Sequence, residues 1–257
     1  MAEVKLDILA IAAHPDDIEI TCGGTLIKMV KRGRAVGALD LTRGEMGTHG
    51  DENDRAKEAS DAARVMGLAY RGNAEIEDAA VENNQENRLR VAAIIRATRP
   101  ELVILPHWEQ RHPDHFACSK LGYDACYLAG LKKLPLDGEP HRPRKIVYAS
   151  YFRNIDHSFL VDISEEFEKK CEAVAAYKSQ FGNAQSLKDV FREYIERLTP
   201  KSGASQNVFS PGINIYDLMH TRARALGQLV RVQYAEAFTV KERILIDDPL
   251  MMPVASV

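Results

Sequence analysis

Cysteine is scarce in this chain. The four present, Cys22, Cys118, Cys126 and Cys171, form no Cys-x-x-Cys pair and sit among apolar neighbours. That excludes a disulfide framework or a zinc knuckle, and each is expected to be a small buried hydrophobe. No apolar run reaches roughly 18 residues, so no membrane span is expected. A basic block is missing too. The 34 lysines and arginines against 37 acidic side chains give a formal charge of -3, and nucleic acid is a poor partner for such a chain. Met1-Ala2-Glu3-Val4-Lys5 runs into the first apolar stretch with no charged n-region, uncharged h-region or small-residue cleavage site, so the expected location is the cytoplasm. Neither an internal repeat nor a linker-like shift of composition divides the sequence. What is present is a chain of 257 residues, 45% apolar and 28% charged, long enough to bury a substantial core.

Strand-like and helix-like patterns alternate along it. Leu6 to Ala13 reads as a buried strand, and Gly23-Gly24-Thr25 opens a helical pattern that stops at Gly33, with Thr25 as its N-cap. Ala35 to Thr42 is a second strand, delivering the glycine-punctuated loop Arg43-Gly44-Glu45-Met46-Gly47-Thr48-His49-Gly50. A helix from Asp54 to Gly67, a weak strand around Ala69 to Ile76 and a helix from Glu86 to Arg99 follow. Leu102 to Pro106 is the next buried strand, and Pro113 suits the first turn of a helix reaching Gly130. Strands at Ile146 to Ala149 and Phe159 to Ile163 precede a helix capped by Ser164 and reaching about Tyr177. Further helices are expected over Leu187 to Leu198 and Ile213 to Tyr234, with a polar loop, Thr199 to Gly212, between them. The alternation predicts one α/β domain over 1–257 with a mainly parallel sheet and a C-terminal helical and loop extension from about 185.

Two clusters carry the chemistry. His14-Pro15-Asp16-Asp17 lies directly behind the first strand, where open α/β sheets place their ligands. Arg111-His112-Pro113-Asp114-His115 repeats the same vocabulary at the end of a later strand. Alone, either run reads more often as a solvated or helix-capping loop; two on one sheet edge point to a shared metal ion. His14, Asp17 and His115 supply two nitrogens and a carboxylate, leaving a position for water. Asp16 would then be the general base, while His112 assists an oxyanion and a leaving amine with Asp114 orienting it. That set matches metal-assisted hydrolysis of an amide or ester. The same triad would also serve a non-haem iron(II) oxygenase, and a sugar-binding module without turnover would leave Asp16 without a task.

The runs Ala13-His14-Pro15-Asp16-Asp17 with Gly23-Gly24-Thr25, and Arg111 to His115, resemble the LmbE/PIG-L family of zinc-dependent N-acetylglucosaminide deacetylases. Asp40-Leu41-Thr42-Arg43-Gly44-Glu45, Ser179-Gln180-Phe181 and Tyr234-Ala235-Glu236-Ala237-Phe238 are similar to its bacillithiol-biosynthesis branch, which deacetylates N-acetylglucosaminyl malate. The likeness spans about residues 6 to 238. It implies a Rossmann-like domain, zinc on His14, Asp17 and His115 with iron(II) as an alternative occupant, Asp16 as base, and His112 with Asp114 behind it at the oxyanion. Its substrate contact early in the second helix matches Arg55. Malyl carboxylates would suit Arg55, Arg43 or Arg111, although a surface ion pair accounts for any one of them equally well. His49 departs from the branch, where an arginine is expected. Relatives also bring a C-terminal tyrosine near the site, for which Tyr216 is the candidate. The partner implied is a small acetylated amino sugar, whether a malate, inositol or chitobiose-like conjugate; homo-oligomerisation is left open.

Overall fold

The computed structural model describes residues 4–150, 155–182 and 215–248. Its strands are β1 (Ile8–Ala12), β2 (Val36–Asp40), β3 (Tyr70–Asn73), β4 (Leu102–Pro106), β5 (Lys145–Ala149), β6 (Phe159–Asp162) and β7 (Ala235–Thr239). They form one sheet in the order β3-β2-β1-β4-β5-β7-β6. The first five run parallel, and β7 is antiparallel to both neighbours. The helices are α1 (Asp17–Lys31), α2 (Glu52–Met66), α3 (Gln85–Thr98), α4 (Pro113–Ala129), α5 (Phe167–Ala175), the single turn α6 (Lys178–Phe181) and α7 (Ile215–Leu229). The expected α/β fold with a mainly parallel sheet is the fold observed.

Alternation of side chains along β1 explains why its sequence is apolar throughout. Leu9, Ile11 and Ala13 join the core under α3 and α4, with Val91, Ile95 and Leu121. Ile8, Ala10 and Ala12 face the other way, against Ile18 and Leu26 of α1 and Met66 of α2. A strand buried on both faces has no polar side to show. Local signals set most helix ends. Asp51 caps α2 through the amides of Asn53 and Asp54 at 2.8 and 2.9 Å, and Gly67 closes the helix with φ 75°.

Long-range contacts overturn three expectations. The first helix starts at Asp17, not at Gly23-Gly24-Thr25, and Thr25 is no N-cap. The amides of Gly24 and Thr25 instead donate to the Glu236 carboxylate of β7, at 2.9 and 2.7 Å, a partner invisible to local pattern. The glycine allows the helix to lie close to β6: a Cβ on Gly24 would come within 2.8 Å of the Ile163 side chain. Ser164 does not cap α5, which begins at Phe167. Its hydroxyl donates to Asp162 at 2.6 Å and accepts the Gln233 and Tyr234 amides at 3.1 Å, pinning the entry to β7. The last predicted helix ends at Leu229, and Ala235–Thr239 becomes a strand that inserts between β5 and β6. The predicted helix Leu187 to Leu198 and loop Thr199 to Gly212 lie outside the described residues.

Glu236 is buried, as is Lys170 of α5, whose ammonium sits 2.6 Å from its Oε1. Cutting such a pair leaves one charge without its partner in a dry interior. Lys170→Met is therefore expected to lower unfolding free energy by about 3–5 kcal/mol, read as a fall in the urea midpoint.

Candidate metal centre and cleft

The first cluster is shaped by a tight, strained turn. Asp17 Oδ2 accepts the His14 amide at 3.0 Å, closing the turn that leads from β1 into α1. Between them Asp16 is held at φ 108°, a left-handed conformation that an aspartate adopts at a cost. Arg55 holds it there: its Nη2 donates to the Pro15 carbonyl and lies 3.4 Å from Asp16 Oδ2. This arginine is only 4% exposed, so the residue expected to contact substrate is largely occupied in supporting the turn.

Helix α4 presents the second cluster. Pro113 occupies its first turn and His112 is the N-cap, Nδ1 accepting the Asp114 amide at 3.2 Å. His112 and His115, three residues apart, share one face, their rings stacked with centroids 4.9 Å apart.

Because β1 and β4 are adjacent and parallel, the two clusters meet at their common C-terminal edge. His14 Nδ1 is 3.3 Å from Asp17 Oδ2 and 3.2 Å from His115 Nε2, and the latter is 3.1 Å from Asp17 Oδ2. Ligand bonds of about 2.0–2.1 Å in a tetrahedral zinc site put donors roughly 3.3 Å apart, so these residues fit a zinc ion as they stand. A second trio, His14, His112 and Asp114, also brings one donor each within 4.8 Å. The first is the tighter set, its three donor atoms lying 3.1–3.3 Å from one another.

The Asp114 carboxylate does not stand behind His112 as expected. The backbone amide of Asp114, not its side chain, meets that ring, and Oδ2 lies 3.4 Å from His14 Nε2. Closer to this nitrogen, at 3.0 Å, is Asp78 Oδ1. Sequence reasoning missed Asp78 because it lies in an aperiodic stretch; its position past β3, on the edge that carries both clusters, was the available signal.

The triad opens into a cleft of about 760 Å³. Asp16, Arg55, Asp78 and His112 contribute to it, and Met46, Gly47, Gln110, Arg111, Gln180 and Leu218 complete its walls. Arg111 is exposed there. On the inner side of Asp17 and His115 a separate pocket of about 20 Å³ is walled by Ala12, Ile18, Cys22 and Ile104. His49 is exposed, its carbonyl accepting from Gln180 Nε2 at 2.6 Å. His107 is buried and stacks on Trp108 at 3.9 Å. Tyr216 does not line the cleft; it packs with Ile163, Phe167 and Cys171. All four cysteines are free and buried, as expected.

The electrostatics follow from the crowding of carboxylates and imidazoles at the triad. Burial opposes protonation of His14, yet the hydrogen bonds and charges of Asp17 and Asp78 outweigh it and raise its pKa to about 11. Burial would push Asp17 up, but His115 and His14 hold it well below the usual carboxylate range. Burial and the neighbouring Asp17 charge raise Asp16 well above its ordinary value, with Arg55 opposing. Burial and the charges of His14 and His115 lower His112.

With fold and site in view, comparison with known proteins defines the class. The family model for PIG-L, GlcNAc-PI de-N-acetylase, matches residues 9–126. The diacetylchitobiose deacetylase of Thermococcus kodakarensis is 31% identical over 189 residues, 68% of this chain and 70% of its own. A probable N-acetyl-alpha-D-glucosaminyl L-malate deacetylase 2 of Bacillus anthracis is 27% identical over 75% of this chain and 88% of its own. The crystal structure of the conserved protein TT1542 from Thermus thermophilus superposes with a TM-score of 0.77 at 37% identity, covering 94% of this chain and 97% of that one. The chain belongs to the PIG-L family and is a metal-dependent deacetylase within it.

A proton on His14 and a metal ion compete for the same nitrogen. Near pH 7, below the His14 value of about 11, zinc uptake is expected to release a proton, and affinity to rise about tenfold per pH unit. Calorimetry in buffers of different ionisation enthalpy measures the release; none would contradict the assignment of His14 Nδ1 to the ion.

Proposed function

We propose that this protein is a zinc hydrolase that removes the acetyl group from an N-acetylglucosamine conjugate, releasing acetate and a free amine. The observation that carries the reading is the near-equilateral triangle of His14 Nδ1, Asp17 Oδ2 and His115 Nε2, with Asp16 beside it on the cleft wall. Zinc there would lower the pKa of a water to about 7 and polarise the amide carbonyl.

The chain's own groups do the rest. Asp16 takes a proton from the attacking water; its raised affinity for protons, set by burial and by Asp17, suits that task. His112 is kept neutral by its lowered pKa, and with Nδ1 occupied by the Asp114 amide its proton resides on Nε2. That N–H donates to the oxyanion formed when the carbonyl is attacked. The proton held by Asp16 passes to the departing nitrogen, and the amine leaves. Asp114 and Asp78 position His14, and Arg55 fixes the turn that carries Asp16. The small pocket beside Asp17 and His115 has room for about one water-sized group, which suits the methyl of an acetyl group and no longer acyl chain.

The finer reading is an N-acetylglucosaminyl malate, in bacillithiol biosynthesis. Exposed Arg111 on the cleft wall supports it as a fork for a malyl carboxylate, and so does the likeness to the Bacillus anthracis protein. Arg55 also lines the cleft, where its guanidinium is engaged with Pro15 and Asp16, and Arg111 is the more exposed of the two. No helix among the described residues is long and apolar enough to cross a membrane. Free buried cysteines accord with a reducing compartment, and the cytoplasm is our assignment.

Amine release by the zinc-loaded protein should be compared on N-acetylglucosaminyl malate, N-acetylglucosaminyl inositol, diacetylchitobiose and free N-acetylglucosamine. Preference for the first, without any need for oxygen, is expected; no preference for it would sink the malate reading and leave the deacetylase. Asp16→Ala should retain zinc and lose at least about a hundredfold in kcat. Full activity in that variant would remove Asp16 from the mechanism.

A further inference from the structure

We propose that Asp78 positions the His14 imidazole and couples it to the 43–47 loop, so that the seating of this cleft wall sets how tightly the metal centre holds its ion. The inference rests on the metal triangle of the proposed function. An imidazole offers a lone pair at Nδ1 only while its proton is on Nε2, and the acceptor of that proton fixes both the tautomer and the plane of the ring. In His14, Nδ1 faces Asp17 and His115, and Nε2 lies 3.0 Å from Asp78 Oδ1. Asp114 Oδ2 approaches the same nitrogen only to 3.4 Å.

Asp78 is itself held by the loop that follows β2. Its Oδ2 accepts the Met46 amide at 3.0 Å, and its own amide donates to Glu45 Oε1 at 2.9 Å. The other Glu45 oxygen accepts the Arg43 amide at 3.2 Å, which folds the loop upon itself. A further tie, from the Ala79 amide to Asp78 Oδ1 at 2.8 Å, leaves the carboxylate little freedom. Met46 and Gly47 wall the cleft. The chain of contacts therefore runs from the cleft surface through one buried carboxylate to a metal ligand. Displacement of the loop would withdraw the acceptor from His14 Nε2.

Zinc affinity measured by chelator competition, without substrate, tests this on Asp78→Ala, Asp78→Asn, Glu45→Ala and, as a reference, Asp17→Ala. Removal of a carboxylate behind a ligating histidine weakens metal binding about ten- to a hundredfold, and Asp78→Ala is expected to show that loss. Asp78→Asn, whose amide oxygen can still accept, should retain most of the affinity. Glu45→Ala, which frees the loop without touching His14, should fall between them. Nitrogen-15 spectra of the His14 ring should show the proton on Nε2 in the zinc-loaded protein and a mixture of tautomers in Asp78→Ala. Affinity and tautomer unchanged in Asp78→Ala would overturn the positioning role, and wild-type affinity in Glu45→Ala would overturn the coupling. Should Asp78→Ala fail to fold by circular dichroism, Asp78→Leu, which likewise offers no acceptor, takes its place, and a wild-type affinity in both it and Glu45→Ala would overturn the proposal. If Asp17→Ala also binds zinc as wild type does, the triangle itself is wrong; if it alone loses zinc, only the role of Asp78 is.

Discussion

The site depends on one pairing, that of β1 with β4, set parallel with Ile8 opposite Leu102 and Ala10 opposite Ile104. Two clusters separated by a hundred residues are thereby delivered to the same edge, and His14 comes within 3.2 Å of His115. The helices that follow the two strands leave on opposite faces of the sheet: α1 packs on the face of Ile8 and Ala10, α4 on that of Leu9 and Ile11. Where successive crossovers diverge in this way, no helix covers the strand ends and a crevice remains. The cleft lies in it, and the loops after β2 and β3 complete its wall.

A second constraint is charge. This edge buries several carboxylates, and each needs a named partner. Arg71 joins Glu19 at 2.5 Å and Asp40 at 2.8 Å and also meets the Tyr177 hydroxyl. Even so, burial raises Asp40 to about 6, with Arg71 opposing. Glu236 has Lys170 and two amides of α1. Among the described residues no arginine or lysine is paired with Asp17, Asp78 or Asp114 around His14, and His14 itself is drawn toward the charged state by Asp17 and Asp78. A divalent cation bound there would supply positive charge to these donors. The strained Asp16 turn belongs to this arrangement, since it places two successive carboxylates in different surroundings, one in the triangle and one on the cleft wall.

Much of the architecture was legible in the residues. Apolar runs located β1, β2, β4 and β5 to within a few residues, because parallel strands buried on both faces carry a continuous signal, while the part-buried Tyr70-Arg71-Gly72-Asn73 of β3 gave only a weak one. Pro113 marked a helix start through local chemistry, whereas the Asp51 cap that opens α2 three residues before the expected Asp54 was not read. The misread elements, the start of α1 and the courses of α5 and β7, share one cause. Glu236, Ile163 and Ser164 determine the course of α1, the start of α5 and the entry to β7 through partners far away in the chain. Local periodicity contains no trace of such contacts.

By itself the sequence determined the types of the candidate ligands, their division between two loops, and the edge of the sheet on which they lie, because each follows from residue chemistry and from the order of strand and helix. Only the tertiary structure decided how the carboxylates share the work. It turned Asp114 toward His14 and the Ala79 amide, introduced Asp78 as the nearer partner, and buried Arg55 beneath the Asp16 turn. The reason is that a hydrogen bond spans about 3 Å. Which of several acceptors reaches a ring nitrogen at that range is settled by the packing of loops that are remote in sequence, and no spacing within one motif can express it.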